Sequence, residues 1–351
     1  MNESNMKEAL LYKKLSDNKV QCLNCPHRCV ILLGKKGICG VRKNQGGKLY
    51  SLVYGKAVAI HVDPIEKKPF FHFLPGSYSL SVATVGCQFA CWSCQNWNIS
   101  QGPKITGKIE GEDVSPEQIV EMAKKHKVPS ISYTYTDPVV FSEYAIETMK
   151  LAKKAGLKNN WVTNGFWSKE LFDLISHSTS SGQAPLLDAA NVDLKGWSDE
   201  FYRKYCGGRI QPVLDTLKRL KEKRIWVEIT TLAIPTLSDS EEMFRNIAKF
   251  IKEELGPETP WHISQFSGAI SWKLEHLPDT PVEILQMAYK IGKETGLKYV
   301  YTGNVPGLPS EDTFCPKCKA LCIDRTNYII HRHDKSGKCP KCGANLDLIL
   351  R

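Results

Sequence analysis

Three cysteines, Cys87, Cys91 and Cys94, follow a short apolar segment at the spacing C-x3-C-x2-C. The stretch from Gly76 to Ile99 holds no other cysteine and no histidine. A structural zinc ion takes four such ligands, so this loop is one ligand short of a closed zinc site. A [4Fe-4S] cluster held by three thiolates leaves one iron free to bind another molecule. The spacing therefore predicts an open iron–sulfur cluster, at which chemistry can take place.

Two further groups of cysteines have the spacing of closed metal sites. Two Cys-Pro-Lys-Cys turns near the C-terminus predict a structural zinc ribbon, with a rubredoxin-like iron as the minor alternative. The N-terminal group fits zinc or a closed auxiliary iron–sulfur cluster; its spacing alone does not choose, and we favour zinc slightly. The predicted ligands are Cys315, Cys318, Cys339 and Cys342 in the C-terminal group and Cys22, Cys25, Cys29 and Cys39 in the N-terminal group.

Composition favours a cytoplasmic, metal-binding enzyme. The N-terminus is too polar for a signal peptide, so the 13 cysteines are expected to ligate metals rather than to form disulfides. A hydrophobic content of 42% supports a large core, and no apolar run is long enough to predict a membrane span. The formal charge of +10 falls to about +5 once metal-bound thiolates are counted. Cys206, outside the three groups, is expected to be a buried thiol.

The elements that must position these residues follow a βα pattern. Apolar β-rich runs alternate with helical patterns between Ser79 and Tyr301, which predicts a parallel sheet and an α/β fold, a partial or open (β/α) barrel resembling a TIM barrel. In such barrels chemistry occurs at the C-terminal ends of the strands, where the three-cysteine loop would lie. Strands are predicted near 79–85, 130–135, 158–163, 189–194, 225–232, 260–266 and 298–302.

Helix signals and the flanking segments complete the expected organisation. Ser115-Pro116 predicts a helix start, the residues from Ser238 predict another before 241–254, and Gly156 predicts the end of a helix over 139–155. Residues 1–75 are expected to form a cysteine-rich metal-binding segment that begins with a short helix. Residues 76–305 are expected to form the barrel, and residues 306–351 a C-terminal zinc-ribbon-like module.

The three-cysteine loop and its surroundings resemble the radical S-adenosylmethionine (SAM) enzymes, particularly those similar to pyruvate formate-lyase activating enzyme. Four further segments resemble one branch of that superfamily, the radical SAM component of the AmmeMemoRadiSam system. They are Cys-Leu-Asn-Cys-Pro-His-Arg-Cys at 22–29, Asp-Pro-Ile-Glu-Lys-Lys-Pro at 63–69, Tyr-Thr-Tyr-Thr-Asp-Pro at 133–138 and Asn-Val-Asp-Leu-Lys-Gly at 191–196.

This resemblance implies a function and a set of partners. SAM would bind the open iron, and one electron from a donor such as ferredoxin or flavodoxin would cleave it to a 5'-deoxyadenosyl radical that abstracts hydrogen from an unidentified substrate. The expected cofactors are a [4Fe-4S] cluster, SAM and one or two zinc ions. The implied partners include a protein substrate or AMMECR-like and Memo-like proteins, and neither a membrane nor a nucleic acid is expected.

The resemblance also assigns residues to SAM. An Asp-x-Lys at the end of the fourth strand contacts SAM in activase-like enzymes, which assigns Asp193 and Lys195 to the catalytic site. Alternation along a strand places both on one face, although a buried structural ion pair is the alternative. Asn164 ends the third strand, and His262 on the sixth strand is either a substrate or SAM contact or a core histidine.

Two positions depart from the family pattern. The residue before the third cysteine is often aromatic and lies against the adenine of SAM, but here it is Ser93, so only a backbone contact is expected. The glycine-rich segment that receives the SAM amino group is replaced by residues 134–138. Thr136 and Asp137 still offer hydroxyl and carboxylate acceptors for an ammonium group.

Two other functions compete with this interpretation. A glycyl-radical-enzyme activase would use the same cofactor, but activases with additional clusters carry them after the SAM motif rather than before the barrel. A zinc-ribbon scaffold or nucleic-acid-binding protein would account for the two closed cysteine groups and the basic charge. That reading leaves the open three-cysteine site unexplained, and the sequence shows no arginine-rich tract of the RNA-binding kind.

Overall fold

The computed structural model describes residues 6–176, 185–305, 309–326 and 328–350. Within them the strands are β1 (Lys7–Glu8), β2 (Tyr12–Lys14), β3 (Val20–Cys22), β4 (Val30–Ile31), β5 (Arg42–Gln45), β6 (Lys48–Ser51), β7 (Lys56–Ala57), β8 (Ala59–Pro64), β9 (Tyr78–Ala83), β10 (Glu112–Asp113), β11 (Ser130–Tyr133), β12 (Lys158–Thr163), β13 (Ala189–Asp193), β14 (Trp226–Ala233), β15 (Trp261–Gln265), β16 (Val300–Gly303), β17 (Thr313–Phe314), β18 (Leu321–Thr326) and β19 (Ile329–Arg332). The helices are α1 (Trp97–Ile105), α2 (Pro116–Lys125), α3 (Ser142–Lys154), α4 (Lys169–Ser176), α5 (Asp199–Phe201), α6 (Gln211–Glu222), α7 (Glu241–Phe250) and α8 (Val282–Thr295).

A central sheet of eight strands carries the fold, in the spatial order β16, β15, β14, β13, β12, β11, β9 and β8. Seven strands are parallel and follow the predicted βα pattern, which confirms the mixed α/β fold. The prediction of seven strands missed β8, which pairs antiparallel with β9. Parallel neighbours are usually joined by a crossover α-helix, whereas β8 is joined to β9 by a loop with one short 3₁₀ turn, so the periodic βα signal does not include it.

Local capping signals account for the predicted helix starts. The hydroxyl of Ser115 accepts a hydrogen bond from the Gln118 amide, and the Gln118 side chain accepts one from the Ser115 amide, which forms the capping box of α2. Ser240 caps α7 through the Met243 amide. The helix then continues as a wider turn over Ile251–Leu255, so the predicted span of 241–254 is close to the observed one.

The two faces of the sheet differ in chemistry. The outer face is aromatic and apolar, as in Trp161, whose ring centroid is 5.0 Å from that of Trp167. The inner face is polar, and its buried side chains pair across strands: the Ser132 hydroxyl donates to Asn160 Oδ1 at 2.7 Å, and the Thr230 hydroxyl donates to Asn191 Oδ1 at 2.9 Å. An inner face lined by hydroxyls and amides can hold a polar molecule.

The flanking segments pack on this barrel as small β-structures. The prediction of a short N-terminal helix was wrong for the described residues, because Lys7–Glu8 pairs with the distant strand β6 and Tyr12–Lys14 pairs with the next strand, β3. At the other end, β17, β18 and β19 form a three-stranded sheet. Within the described part of the chain, no helix combines the length and apolar character needed to span a bilayer.

Candidate functional site

The three-cysteine loop leaves the C-terminal end of β9 and leads into α1, as predicted. Gly86 turns the chain at its start with φ of +101°, and a Cβ there would lie 2.6 Å from the Val41 side chain. Glycine is therefore required for both the conformation and the close approach. The loop places Cys87, Cys91 and Cys94 at the edge of the sheet where the strands end.

Backbone contacts from the turn over Tyr202–Cys206 hold this loop from behind. The amide of Ala90 donates to Cys206 O at 2.8 Å, and the amide of Trp92 donates to Tyr205 O at 2.9 Å. Cys206 is a buried thiol, as expected, and its hydrogen bond with Cys91 is the main cause that raises the pKa of Cys91 well above its usual range. The sequence gave no signal for this contact.

The donor set of the loop fits an iron–sulfur cluster rather than a single metal ion. Among the described residues, the only group of three or more metal-ligating side chains whose ligand atoms all lie within 4.8 Å of one another is in the C-terminal segment. The sulfurs of Cys87, Cys91 and Cys94 are therefore spaced too widely for one shared ion. A cubane accepts wider spacing, because each thiolate binds a different iron.

The thiols of this loop depend on a metal for their ionisation. Burial raises the pKa of Cys87 well above its usual range, and the carboxylate of Asp137 raises it further. A thiol in that environment stays protonated at neutral pH unless a metal ion displaces the proton. These thiols would therefore have to lose their protons to hold a cluster.

Asp137 lies beside this loop, but its carboxylate is already used by the protein. Its Oδ1 accepts the Val139 amide at 3.1 Å, and its Oδ2 accepts the Thr163 hydroxyl at 2.9 Å and the Asn164 amide at 2.8 Å. These bonds tie the ends of β11 and β12 together. The Thr136 hydroxyl likewise donates to Thr84 O at 2.8 Å. Both residues therefore position the loops around the predicted SAM site.

Asn164 makes direct contact with a predicted cluster ligand. Its Nδ2 lies 3.9 Å from Cys87 Sγ, and its Oδ1 accepts a hydrogen bond from Gln88 Nε2 at 3.0 Å. Gln88 of the cysteine loop therefore holds the Asn164 side chain in one orientation. A donor aimed at a ligand sulfur influences the reduction potential of a cluster.

Asp193 and Lys195 form the predicted acid–base pair at the end of β13. Lys195 Nζ donates to Asp193 Oδ2 at 2.8 Å, and their side chains stay 22% and 33% exposed. Burial would lower the pKa of Lys195, but Asp193 and the thiols of Cys91 and Cys206 raise it well above its usual range. The ammonium is therefore charged, accessible and close to the cysteine loop.

His262 and Ser93 occupy different surroundings. His262 Nε2 lies 2.8 Å from Glu228 Oε2, and its ring stacks on Tyr301 with centroids 5.2 Å apart. It lies two strands from Asp193 in the same register row and is 3% exposed, which is the environment of the core-histidine alternative. Ser93 is half-buried in the turn between Cys91 and Cys94.

A polar cluster inside the barrel was missed by the sequence reasoning. The Asp63 carboxylate accepts hydrogen bonds from Lys68 Nζ at 2.7 Å, Tyr135 OH at 2.5 Å and the Ser81 hydroxyl at 2.9 Å. Tyr135 adopts φ of +65°, a backbone conformation that favours glycine. The segment 63–69 and the segment 133–138 were both conspicuous in the sequence, but nothing in either indicated that they meet.

The two closed cysteine groups take different geometries. In the C-terminal group, Cys315 Sγ is 3.6 Å from Cys342 Sγ, and Cys318 Sγ is 3.5 Å from Cys339 Sγ. Four sulfurs around one tetrahedral zinc ion lie about 3.8 Å apart, so this group fits a single metal ion. The N-terminal group instead lines a cavity without closing on one point; its members are Cys22, Cys25, Cys29 and Cys39.

Comparison with known proteins gives consistent matches. A sequence profile of the Radical SAM superfamily matches residues 81–251. An uncharacterized protein of Methanocaldococcus jannaschii is 43% identical over 348 residues, which cover 98% of this chain and 100% of that protein. The pyruvate formate-lyase-activating enzyme of Clostridium pasteurianum is 23% identical over 176 residues, covering 48% of this chain and 66% of that enzyme. A solved radical SAM methyltransferase from Sphaerobacter thermophilus has a TM-score of 0.49 at 12% identity, covering 65% of this chain and 67% of that one.

Proposed function

This chain belongs to the radical SAM superfamily, and we therefore propose that it uses a [4Fe-4S] cluster at Cys87, Cys91 and Cys94 to cleave SAM reductively. The observation that carries the proposal is the position of the three-cysteine loop. It leaves the C-terminal end of β9, and the ion pair of Lys195 with Asp193 lies at the C-terminal end of β13 in the same parallel sheet. When bound, the two cofactors supply a 5'-deoxyadenosyl radical for hydrogen abstraction from a substrate.

Different residues around the loop would contact SAM, the cluster ligand and the substrate. Asp193 and Lys195 present one carboxylate and one ammonium, which match the amino and carboxylate groups of a methionine moiety. Asn164 would donate to the sulfur of Cys87, and Asp137 would hold the strand ends in place. The polar inner face, with Asp63 and its partners, would bind the substrate.

Anaerobic reconstitution tests this function. The protein is loaded with iron and sulfide, SAM and a low-potential reductant are added, and 5'-deoxyadenosine is quantified by mass spectrometry. We expect the wild-type protein to produce it and Cys87→Ala, Cys91→Ala and Cys94→Ala to produce none, because two thiolates do not hold a site-differentiated cluster. Cys322→Ala is the control, since it removes a buried thiol outside the loop. Substantial product from any of the three loop variants contradicts the proposal.

A glycyl-radical activase is the second candidate function. The partial likeness to the Clostridium pasteurianum enzyme favours it, since that protein is named as an activating enzyme. Incubation with a candidate glycyl-radical partner, SAM and reductant would then generate a glycyl radical visible by electron paramagnetic resonance (EPR). A small metabolite that raises 5'-deoxyadenosine production above the level seen with SAM and reductant alone would favour another substrate.

The remaining assignments are proposals of the same kind. We expect one zinc ion at the C-terminal group and an external one-electron donor such as ferredoxin or flavodoxin. The four sequence segments noted above support membership of the AmmeMemoRadiSam branch, with AMMECR-like or Memo-like proteins as partners. Co-purification of the tagged protein with those candidates, compared with an unrelated radical SAM enzyme, tests the association.

A further inference from the structure

The four cysteines of the N-terminal group line a cavity and do not converge on one ion position. They line it together with His27, Arg42 and Gln88. Three of the four are buried. Among the described residues, no three of these sulfurs all lie within 4.8 Å of one another.

From this geometry we propose that Cys22, Cys25, Cys29 and Cys39 bind an auxiliary [4Fe-4S] cluster. The alternative is a single zinc ion, and the C-terminal group of the same chain shows the spacing that a single ion requires. Its sulfurs approach to 3.5 and 3.6 Å, as four ligands of one ion do. The N-terminal sulfurs line a cavity but do not form a group of this close spacing. A cubane accepts a wider spacing, because its four irons each take one thiolate.

The wall of the cavity carries a buried hydrogen-bond donor that suits such an anion. The Arg42 guanidinium lines the cavity, is buried, and donates to Glu143 at 2.6 and 3.0 Å. Its Nε has no hydrogen-bond partner. A buried donor left without a partner is costly, so a ligand that accepts a hydrogen bond is expected beside it. A four-thiolate [4Fe-4S]²⁺ cluster has a net charge of about −2 and sulfur acceptors.

The N-terminal cysteine group lies directly against the three-cysteine loop. His27, which lines the cavity, lies with Nε2 3.0 Å from the carbonyl oxygen of Gln88. A Cβ added to Gly86 would lie 3.1 Å from Cys39 O, and one added to Gly40 would lie 3.3 Å from the Lys104 amide of α1. The auxiliary cluster would therefore be the immediate neighbour of the SAM-binding one.

Iron counting on variants tests the proposal independently of SAM cleavage. The wild-type protein should bind about eight irons per chain, and the triple variant Cys87→Ala/Cys91→Ala/Cys94→Ala about four. The remaining reduced cluster should give an EPR signal that SAM does not alter. In Cys22→Ala/Cys25→Ala the remaining cluster should give a signal that SAM does alter. Cys322→Ala should keep about eight irons.

If the N-terminal group binds zinc instead of a cluster, the iron and zinc counts per chain differ from these values. About four irons and two zinc ions in the wild-type protein, with no iron in the triple variant, would overturn the proposal. The iron and zinc content of the wild-type protein distinguishes a cluster from zinc at the N-terminal group even if a variant fails to fold. Failure of SAM cleavage alone would leave the count unchanged, so it would contradict the proposed function and not this site.

Discussion

At the scale of single residues, Asn164 links the end of β12 to the ligand Cys87. Its amide donor is aimed at the sulfur from 3.9 Å and held there by Gln88. A hydrogen bond to a thiolate ligand stabilises the reduced, more negative cluster. The side chain therefore acts on the potential at which the cluster accepts an electron.

We predict that Asn164→Ala lowers the midpoint potential of the SAM-binding cluster. A hydrogen bond contributes about 1 kcal/mol, which corresponds to roughly 40 mV for one electron. An EPR-monitored redox titration measures the shift. Asn159→Ala is the control, because Asn159 is buried on the same strand and bonds to Met149 O and Leu186 O instead. An unchanged potential would mean that Asn164 only positions the loop.

Replacing Asp193 or Lys195 with Ala should weaken SAM binding about tenfold, a loss of about 1.4 kcal/mol. Iron content should stay nearly the same, because both side chains are assigned to the cofactor and neither to the cluster. SAM titrations followed by the EPR change of the cluster measure the affinity. The control is Lys153→Ala, which breaks another ion pair, with Asp188 at 2.6 Å. Unchanged affinity would return the pair to a structural role, and loss of iron would show that the strand assignment is wrong.

At the scale of elements, Glu228 on β14 fastens a loop to the inner face of the sheet. Its carboxylate accepts the amides of Phe71 and His72 at 2.9 Å and of Phe73 at 3.1 Å. It also accepts His262 Nε2 at 2.8 Å. One buried carboxylate thus satisfies three successive backbone donors and orders the segment that follows β8.

Glu228→Gln should destabilise the protein by about 3 kcal/mol at neutral pH, because it removes a buried charge from its donors. Burial would raise the pKa of Glu228, but His262, His72 and the loop amides lower it to about 2. The stabilisation is complete above the ordinary carboxyl pKa of 4.5 and is lost as pH falls toward 2. Melting temperatures should therefore differ most at pH 7 and converge toward pH 3. Glu241→Gln, which removes an exposed pair with Arg245, should change little at either pH.

The sequence predicted elements whose signals are local and missed those that depend on distant partners. The capping box of α2 and the parallel strands are encoded within short windows, and the cysteine spacing is local in the same way. Strand β1 exists because it pairs with the distant strand β6, so a short polar segment gave no signal for it. The contact between Asp63 and Tyr135 spans 72 residues and could not be predicted from either segment alone.

At the scale of the whole molecule, the C-terminal ribbon is hydrogen-bonded to the loop that follows β8. The Arg325 guanidinium donates to Phe71 O at 2.9 Å. Ile349 exchanges backbone hydrogen bonds with the same loop, accepting from the Leu74 amide and donating to His72 O, both at 2.8 Å. The ribbon and Glu228 therefore hold one segment from opposite sides.

We expect Cys339→Ser to remove about one zinc ion per chain and to loosen residues 310–350. A segment of this size buries little apolar surface, so metal ligation should supply most of its stability. Limited proteolysis and metal analysis measure both effects, with iron at the cysteine loop retained. Lys341→Ser, in the same turn but not a ligand, is the control. Loss of iron with zinc unchanged would make this site an iron centre.

The contact between His72 and Asp347 also sets an order of events during synthesis, because the two residues are 275 positions apart. A ribosome adding about 5–20 residues per second needs roughly 15 to 55 s to cover that distance. Through that interval the loop after β8 lacks its C-terminal partner, while the cysteine loop that follows β9 has already emerged. The nascent chain therefore exposes its cluster ligands well before the last strand pairing can close the fold.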